Sequence, residues 1–126
     1  MKEYSFEKLE VWKIANNFVT KIYRITQKFP SDEKFCIISQ LKRAALSITN
    51  NIAEGSGRIT AKDKANFTQM SFGSLMECLN VLNVSEELGM LAEDKYNDLR
   101  NDINILAIKL STLRRAQLNN PQILKY

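Results

Sequence analysis

A guanidinium, a carboxylate and a second guanidinium stand around one glycine-rich turn of this chain, at Arg43, Glu54 and Arg58. Arg43 and Glu54 are about three helical turns apart, so both side chains project from one side of a helix. The helix dipole disfavours a carboxylate at a C-terminus, so Glu54 should have a cationic partner such as Arg58. This pattern favours a structural ion-pair network over a ligand or RNA contact. The predicted network comprises Arg43, Asn50, Asn51, Glu54, Gly55, Gly57 and Arg58.

Few residues of the chain could support other catalytic or metal-binding chemistry. The chain has no histidine, which excludes Ser-His-Asp and Cys-His catalysis and the Glu-x-x-His pairs of di-iron bundles. Asp94, Asp98 and Asp102 recur at four-residue spacing, a charge pattern typical of a solvated helix face. The segment 55–57 lacks the spacing of a phosphate-binding loop, and no strand precedes it. The sequence therefore predicts no enzymatic activity, no metal site and no cofactor.

Apolar residues recur every three or four positions in four segments, which is the period of an α-helix. Pro30, a glycine turn and Gly89 separate these segments, and Gly55 is predicted to adopt left-handed backbone geometry. Short connections between long helices predict an all-α, antiparallel up-down-up-down four-helix bundle. Its helices should span about 6–28, 32–54, 61–88 and 92–118 of a single domain over 1–126. Ser31 or Asp32 and Thr60 are the predicted N-caps, and a frayed tail should follow Pro121.

Two of the predicted helices contain long stretches without charge. Neither 44–53 nor 65–76 contains Asp, Glu, Lys or Arg, and helices that lack charge all round are usually buried on more than one side. A chain of this length has few internal partners, so we expect a second copy of the chain to cover them. The predicted oligomer seam comprises Gln40, Ala44, Ser47, Asn51, Ser71, Gly73 and Ser74. Ser74→Arg or Ser47→Glu should then dissociate the oligomer and leave the bundle helical.

The charge distribution permits contact with an acidic partner such as RNA. The net charge is +4, and the segment 109–126 contains four basic residues and no acidic residue. A basic helix C-terminus is also favoured by the helix dipole, so both interpretations stand. The candidate RNA or partner contacts are Lys42, Arg43, Arg58, Arg114 and Arg115.

The cysteines and the chain start indicate the compartment. Cys36 and Cys78 have no CxxC spacing and are predicted to be unpaired core thiols in a reducing cytoplasm. The charged N-terminal segment does not have the pattern of a signal peptide, and no apolar run approaches the ~20 residues that span a bilayer. We therefore expect a cytoplasmic protein without membrane contact.

Several segments together resemble one known family. They are Leu9–Ala15, Ile22–Tyr23, Phe29–Pro30, Gln40–Ala45, Ser47–Ile48, Asn51–Gly55, Gly57–Arg58, Phe67, Gly73–Ser74 and Glu77. Across residues 6–118 the chain resembles the bacterial four-helix bundle family that includes proteins encoded by intervening sequences within large-subunit ribosomal RNA genes. Some members have been labelled a ribosomal protein, and the NIAEG-x-GR element is quite specific to the family.

The resemblance implies a small cytoplasmic bundle that assembles as a ring, with a homopentamer as the expected form. The family is similar in fold to the accessory variability determinant of diversity-generating retroelements, a basic pentameric barrel that binds RNA and a reverse transcriptase. No enzymatic activity is implied. Residues and resemblance together predict a non-catalytic homo-oligomeric scaffold that binds RNA or a ribonucleoprotein. The alternative is a protein–protein interaction module without direct contact to nucleic acid.

Overall fold

The structure is a computed structural model that describes residues 1–119 of the chain. Four long helices account for most of these residues: α1 (Glu10–Thr26), α2 (Ser39–Ser56), α3 (Ala61–Glu87) and α4 (Glu93–Asn119). The described part contains no strand, so the all-α prediction is confirmed for it. The predicted tail after Pro121 and the basic residue Lys125 lie outside the described residues.

Successive helices run antiparallel: short segments, 57–60 and 88–92, join α2 to α3 and α3 to α4, and a longer segment with two helical turns joins α1 to α2. Helix α3 packs extensively against both α2 and α4, and α1 makes a smaller contact with each of those two helices. The predicted apolar stripes of α2 and α4 face the core, where Leu41, Ile48, Leu99, Ile103 and Leu106 are almost fully buried. Phe6 packs edge-on against Trp12 with ring centroids 5.3 Å apart, which attaches the short 3₁₀ turn Ser5–Lys8 to α1.

The structure has the predicted N-cap at the start of α3 but not the N-cap predicted for the second helix. Thr60 caps α3, since its hydroxyl accepts a hydrogen bond from the Asp63 backbone N–H at 3.1 Å. No side chain caps the start of the second helical segment: a 3₁₀ turn (Ser31–Glu33) and a wide π-helical turn (Lys34–Ile38) lead into α2. A π-helical turn often marks a strained or functional position. Here it precedes the region of α2 in which the regular apolar stripe begins.

The prediction of left-handed backbone geometry at Gly55 is wrong. Gly55 lies inside α2, and Gly89 at the end of α3 is the only residue of 1–119 with a positive φ, +78°. A Cβ atom added to Gly55 would lie 3.1 Å from Cβ of Phe67. Glycine at position 55 therefore permits the close approach of α2 to α3, whereas Gly89 supplies the left-handed conformation that ends a helix.

The predicted oligomer seam requires a second correction, because α2 and α3 of the same chain cover much of it. The Ser71 hydroxyl donates to the Ile48 carbonyl at 2.8 Å, and the Ser74 hydroxyl donates to Ser47 Oγ at 2.9 Å. The Asn51 amide also bonds to Ser47, and Ala44 is buried. Ala44, Ser71 and Ser74 are buried within the chain, whereas Ser47 and Asn51 remain partly exposed. Of the predicted seam, Gln40 and Gly73 are exposed.

The two cysteines differ in exposure and should differ in reactivity. Cys36 is exposed, which corrects its assignment to the core, and Cys78 is buried. Burial, with a smaller effect from the charge of Glu77, raises the pKa of the Cys78 thiol to about 12. At pH 8 a maleimide or disulfide reagent should modify Cys36 roughly a thousandfold faster than Cys78, because the thiolate is the reactive form. The Cys36→Ser variant should lose the fast phase, and equal rates for both thiols in the folded protein would contradict this assignment.

Candidate nucleic-acid interface

The turn between α2 and α3 forms the ion pair that the sequence predicts for Glu54. Arg58 contacts Glu54 at 3.1 Å, and its guanidinium lies 4.6 Å from the centroid of the Phe67 ring. Both charged side chains are about half exposed, so the pair contributes little stability and leaves the guanidinium accessible. Arg58 can therefore contact a phosphate from its position over the ring.

The remaining members of the predicted network lie elsewhere. Arg43 is in the first turn of α2, roughly 16 Å along the helix axis from Glu54 at 1.5 Å per residue. Asn51 bonds to Ser47 within α2, and Asn50 is exposed. The network therefore reduces to Glu54, Arg58 and the ring of Phe67. Sequence reasoning did not assign Phe67 to this network, because its ring becomes a partner of Arg58 only once α3 packs beside α2.

Arg114 and Arg115 line a cleft of about 250 Å³ between the end of α4 and the first half of α3. Both arginines are exposed, and Gln69 and Phe72 form the opposite wall. Below the cleft, the Thr68 hydroxyl donates to Gln117 Oε1 at 2.8 Å in a buried hydrogen bond. That bond fixes the last turns of α4 against α3. The two guanidinium groups are thus held beside polar and aromatic groups that a nucleotide can contact.

Antiparallel packing brings these arginines to the same end of the bundle as Arg58, where α2 and α4 end and α3 begins. We call the group Arg58, Lys62, Lys64, Arg114 and Arg115 the basic end. Lys64 contacts the Ser56 carbonyl at 3.4 Å, and burial lowers the pKa of its ammonium group. Lys62 is exposed. Neither lysine was among the predicted contacts, because only the fold shows that they lie at the same end of the bundle as the arginines of α4.

Lys42 and Arg43 lie at the opposite end of the bundle, in the first turns of α2. The Lys42 ammonium is 5.0 Å from the centroid of the Tyr23 ring, and Arg43 is exposed. The five predicted contact residues are therefore divided between two ends. Three of them belong to the basic end, so that end is the better candidate for a continuous nucleic-acid surface.

Two of the three aspartates in the predicted row on α4, Asp98 and Asp102, form ion pairs with α1. Lys21 of α1 contacts Asp102 at 2.8 Å and Asp98 at 3.2 Å. The hydrogen bond that Lys21 donates to Asp102, supported by the one to Asp98, raises the pKa of the Lys21 ammonium group. Lys109 and Glu10 form a further pair between the same helices at 2.9 Å. These pairs hold α1 against α4, a role that the four-residue spacing alone did not indicate.

Two exposed helix faces carry almost no charge. The α3 face comprises Asn66, Met70, Gly73, Glu77, Asn80 and Val84, and the α4 face comprises Asn101, Asn104, Ile105, Ile108 and Thr112. Glu77 is the one charged residue in these two sets. Ile108 is 69% exposed and Met70 is 47% exposed. Exposed apolar residues on uncharged faces are typical of contact surfaces between proteins.

Two further features concern residues 1–119. The described part of the chain contains no group of three or more Cys, Asp or Glu side chains that could hold a metal ion. None of its helices combines the length and the apolar character that a bilayer crossing requires.

Comparisons with known proteins agree with the helical architecture. Residues 7–112 match the model of a family described as 23S rRNA-intervening sequence protein. A solved structure from Bacteroides thetaiotaomicron, described as a protein with unknown function from the S23 ribosomal protein family, superposes with a TM-score of 0.78. It is 19% identical in sequence, and the match covers 83% of this chain and 95% of that chain. At this identity the likeness concerns the fold. No curated protein matches the chain.

Proposed function

Because the chain belongs to the 23S rRNA-intervening sequence protein family, we propose that it is a non-catalytic homo-oligomeric scaffold that binds RNA or a ribonucleoprotein. The observation that carries the proposal is the basic end, where antiparallel packing brings five cationic side chains from three parts of the sequence to one end of the bundle. At this end of the bundle Glu54 pairs with Arg58 and Glu10 pairs with Lys109, whereas the carboxylates of Glu7 and Asp63 form no ion pair within residues 1–119. The surplus of positive charge at this end suits the phosphate backbone.

The contacts at the basic end suit RNA of little sequence preference. Exposed arginine and lysine side chains neutralise phosphates without reading bases, and Phe72 beside Arg114 and Arg115 can accept a stacked unpaired base. A surface of this size in one subunit is expected to bind weakly and to be sensitive to salt. Repetition of the surface in an oligomer would raise the affinity for a single RNA through avidity.

The α3 face and the α4 face support the homo-oligomer. They lie on different helices and differ in residue content, so a contact of one with the other is heterologous. Contacts of this kind form closed rings when the rotation between subunits closes. We propose a ring in which the α3 face of one subunit packs on the α4 face of the next, with a pentamer as the favoured form. The cytoplasm is the expected compartment.

Light scattering coupled to size exclusion, with and without nuclease treatment, tests this function. A pentamer of 14.5 kDa chains should have a mass of about 73 kDa. Nuclease-sensitive ultraviolet absorbance that accompanies the protein, and RNA affinity that falls steeply with salt, are the expected results. An oligomer that binds no RNA at low salt would contradict the RNA proposal, and a monomer would contradict the scaffold.

The exposed apolar residues of α4 favour a second candidate, a module that docks a partner protein. Ile108 borders a groove between α1 and α4 that Val11, Leu113 and Ala116 also line. A partner helix could pack its apolar side into such a groove. Capture of one specific protein, in a form that survives high salt and nuclease, would favour this candidate over RNA binding.

Ile108→Glu should dissociate the oligomer while the subunit stays folded. The side chain is 69% exposed in the single chain, so a glutamate there remains hydrated in a free subunit and becomes buried without a partner in the ring. Sedimentation velocity should show the loss of the large species, and far-ultraviolet circular dichroism should remain helical. Lys13→Glu, an exposed position on α1 outside both faces, is the control. An oligomer of unchanged size in the Ile108 variant would contradict the assignment of the α4 face.

A further inference from the structure

A cavity of about 530 Å³ opens at the end of the bundle opposite the basic end, between the last turns of α1 and the start of α4. Its inner surface is apolar: Phe29, Leu91 and Leu99 are buried there, with Ile25 and Met90 beside them. Volumes of about 300–1,000 Å³ are typical of sites for small organic ligands. The cavity can therefore accommodate the flat apolar part of a ligand in addition to an ion.

Four cationic side chains line the opening of this cavity, together with the carboxylates of Asp94 and Asp98. Lys21, Arg24 and Lys28 stand on the α1 side, and Lys95 stands on the α4 side. Lys21 is neutralised by Asp98 and Asp102. Within residues 1–119, Arg24, Lys28 and Lys95 form no ion pair, and all three are exposed. Three cations without carboxylate partners around one opening are suited to a ligand with a multiply charged anion.

We propose that this cavity binds a nucleotide. The base would lie against the apolar surface, and the phosphate would contact Arg24, Lys28 and Lys95. Asp94 also lines the opening, and its carboxylate can accept hydrogen bonds from ribose hydroxyls. A fatty acid would present a single charge to the three cations, and inorganic phosphate would leave the apolar surface unused.

This inference goes beyond the proposed function, because the cavity and the basic end lie at opposite ends of the bundle. The nucleotide can be a free metabolite or the 5′-terminal nucleotide of an RNA, since both present a base, a ribose and a terminal phosphate. In the second case the cavity would hold the end of an RNA.

Titration of the full-length protein with AMP, followed by two-dimensional amide NMR, tests the proposal. We expect saturable shifts confined to residues 21–29 and 90–99, with adenosine and inorganic phosphate each binding at least about tenfold more weakly than AMP. Arg24→Gln/Lys28→Gln should weaken AMP binding by about tenfold or more. Arg114→Gln/Arg115→Gln, the same charge change at the basic end, should leave it unchanged. Shifts that centre elsewhere, absence of saturation at millimolar AMP, or equal effects of the two double variants would each overturn the proposal.

The affinities of two RNAs that differ only in a 5′-phosphate distinguish a free nucleotide from an RNA end as the ligand of the cavity. A preference for the phosphorylated RNA that disappears in Arg24→Gln/Lys28→Gln assigns the cavity to an RNA end, whereas AMP binding without this preference assigns it to a free nucleotide. The proposed function fails separately, if RNA binding is absent or insensitive to Arg114 and Arg115 while AMP still binds. Equal affinity of wild type and Arg24→Gln/Lys28→Gln for AMP and for phosphorylated RNA would leave the cavity without a nucleotide role.

Discussion

Ser74→Arg should lower the free energy of unfolding of the bundle by about 3 kcal/mol or more. Ser74 is 8% exposed and bonds to Ser47 across the contact between α2 and α3. An arginine at this position overpacks a close helix contact and removes the hydrogen bond to Ser47. Chemical denaturation followed by circular dichroism measures the loss. The prediction reverses the expectation from the sequence, in which this substitution affects only the oligomer.

Two matched substitutions separate the subunit fold from its assembly. Asn17→Arg introduces the same side chain at an exposed position of α1 and should change the unfolding free energy by at most about 0.5 kcal/mol. Gly73→Arg lies next to Ser74 but on the α3 face, where an added Cβ meets no atom within 4 Å. It should keep the bundle folded and dissociate the ring. If Ser74→Arg unfolds like wild type and only the oligomer is lost, the intrachain assignment of Ser74 is wrong.

Arg114→Glu/Arg115→Glu should lower RNA affinity at low salt by roughly a hundredfold. Each lost phosphate contact also reduces the slope of log affinity against log salt by about 1, so the double variant should lose a slope of about 2. Fluorescence anisotropy with a labelled single-stranded RNA, from about 50 to 200 mM salt, measures both quantities. The effect is large because the substitutions remove two cations and place two anions beside the same cleft.

Lys42→Glu/Arg43→Glu makes the same change in charge at the other end of the bundle and is the matched control. Its effect should be several-fold smaller, because Lys42 lies against Tyr23 and the pair is distant from the basic end. Equal losses in the two variants would mean that RNA responds to the total charge of the protein and not to this surface. An unchanged affinity in the Arg114 and Arg115 variant would remove the basic end from the proposed function.

Helical periodicity predicted the fold because the core of a bundle repeats along each helix. Leu41, Ala45 and Ile48 could be assigned to a buried stripe from their spacing alone, and all three are buried. The same reasoning showed that a neighbouring helix packs closely on Ser71 and Ser74, but not whether that helix belongs to the same chain. A pattern in one helix identifies a covered face, and only the packing of α2 on α3 shows that the cover belongs to the same chain.

The candidate sites depend on contacts between distant parts of the sequence. Arg58 could be paired with Glu54 because the two residues are four positions apart. Lys21 and Asp102 are 81 positions apart, and the cavity lined by Arg24 and Lys95 combines opposite halves of the chain. No local spacing relates such residues. They become neighbours when α1 closes the bundle against α4, so the sequence could supply the charged residues but not their arrangement.

The modest contacts of α1 with α2 and α4, beside the extensive contacts of α3 with the same two helices, divide the bundle into parts of unequal local stability. Proteins open in cooperative units, and the unit with the fewest contacts opens at the lowest free energy. Helices α2, α3 and α4 can remain together as a three-helix unit while α1 detaches. Such an opening would break the contacts of Lys21 with Asp98 and Asp102 and separate the two walls of the cavity. A ligand that bridges those walls would oppose this partial unfolding, so its binding energy would appear as slower amide hydrogen exchange in α1.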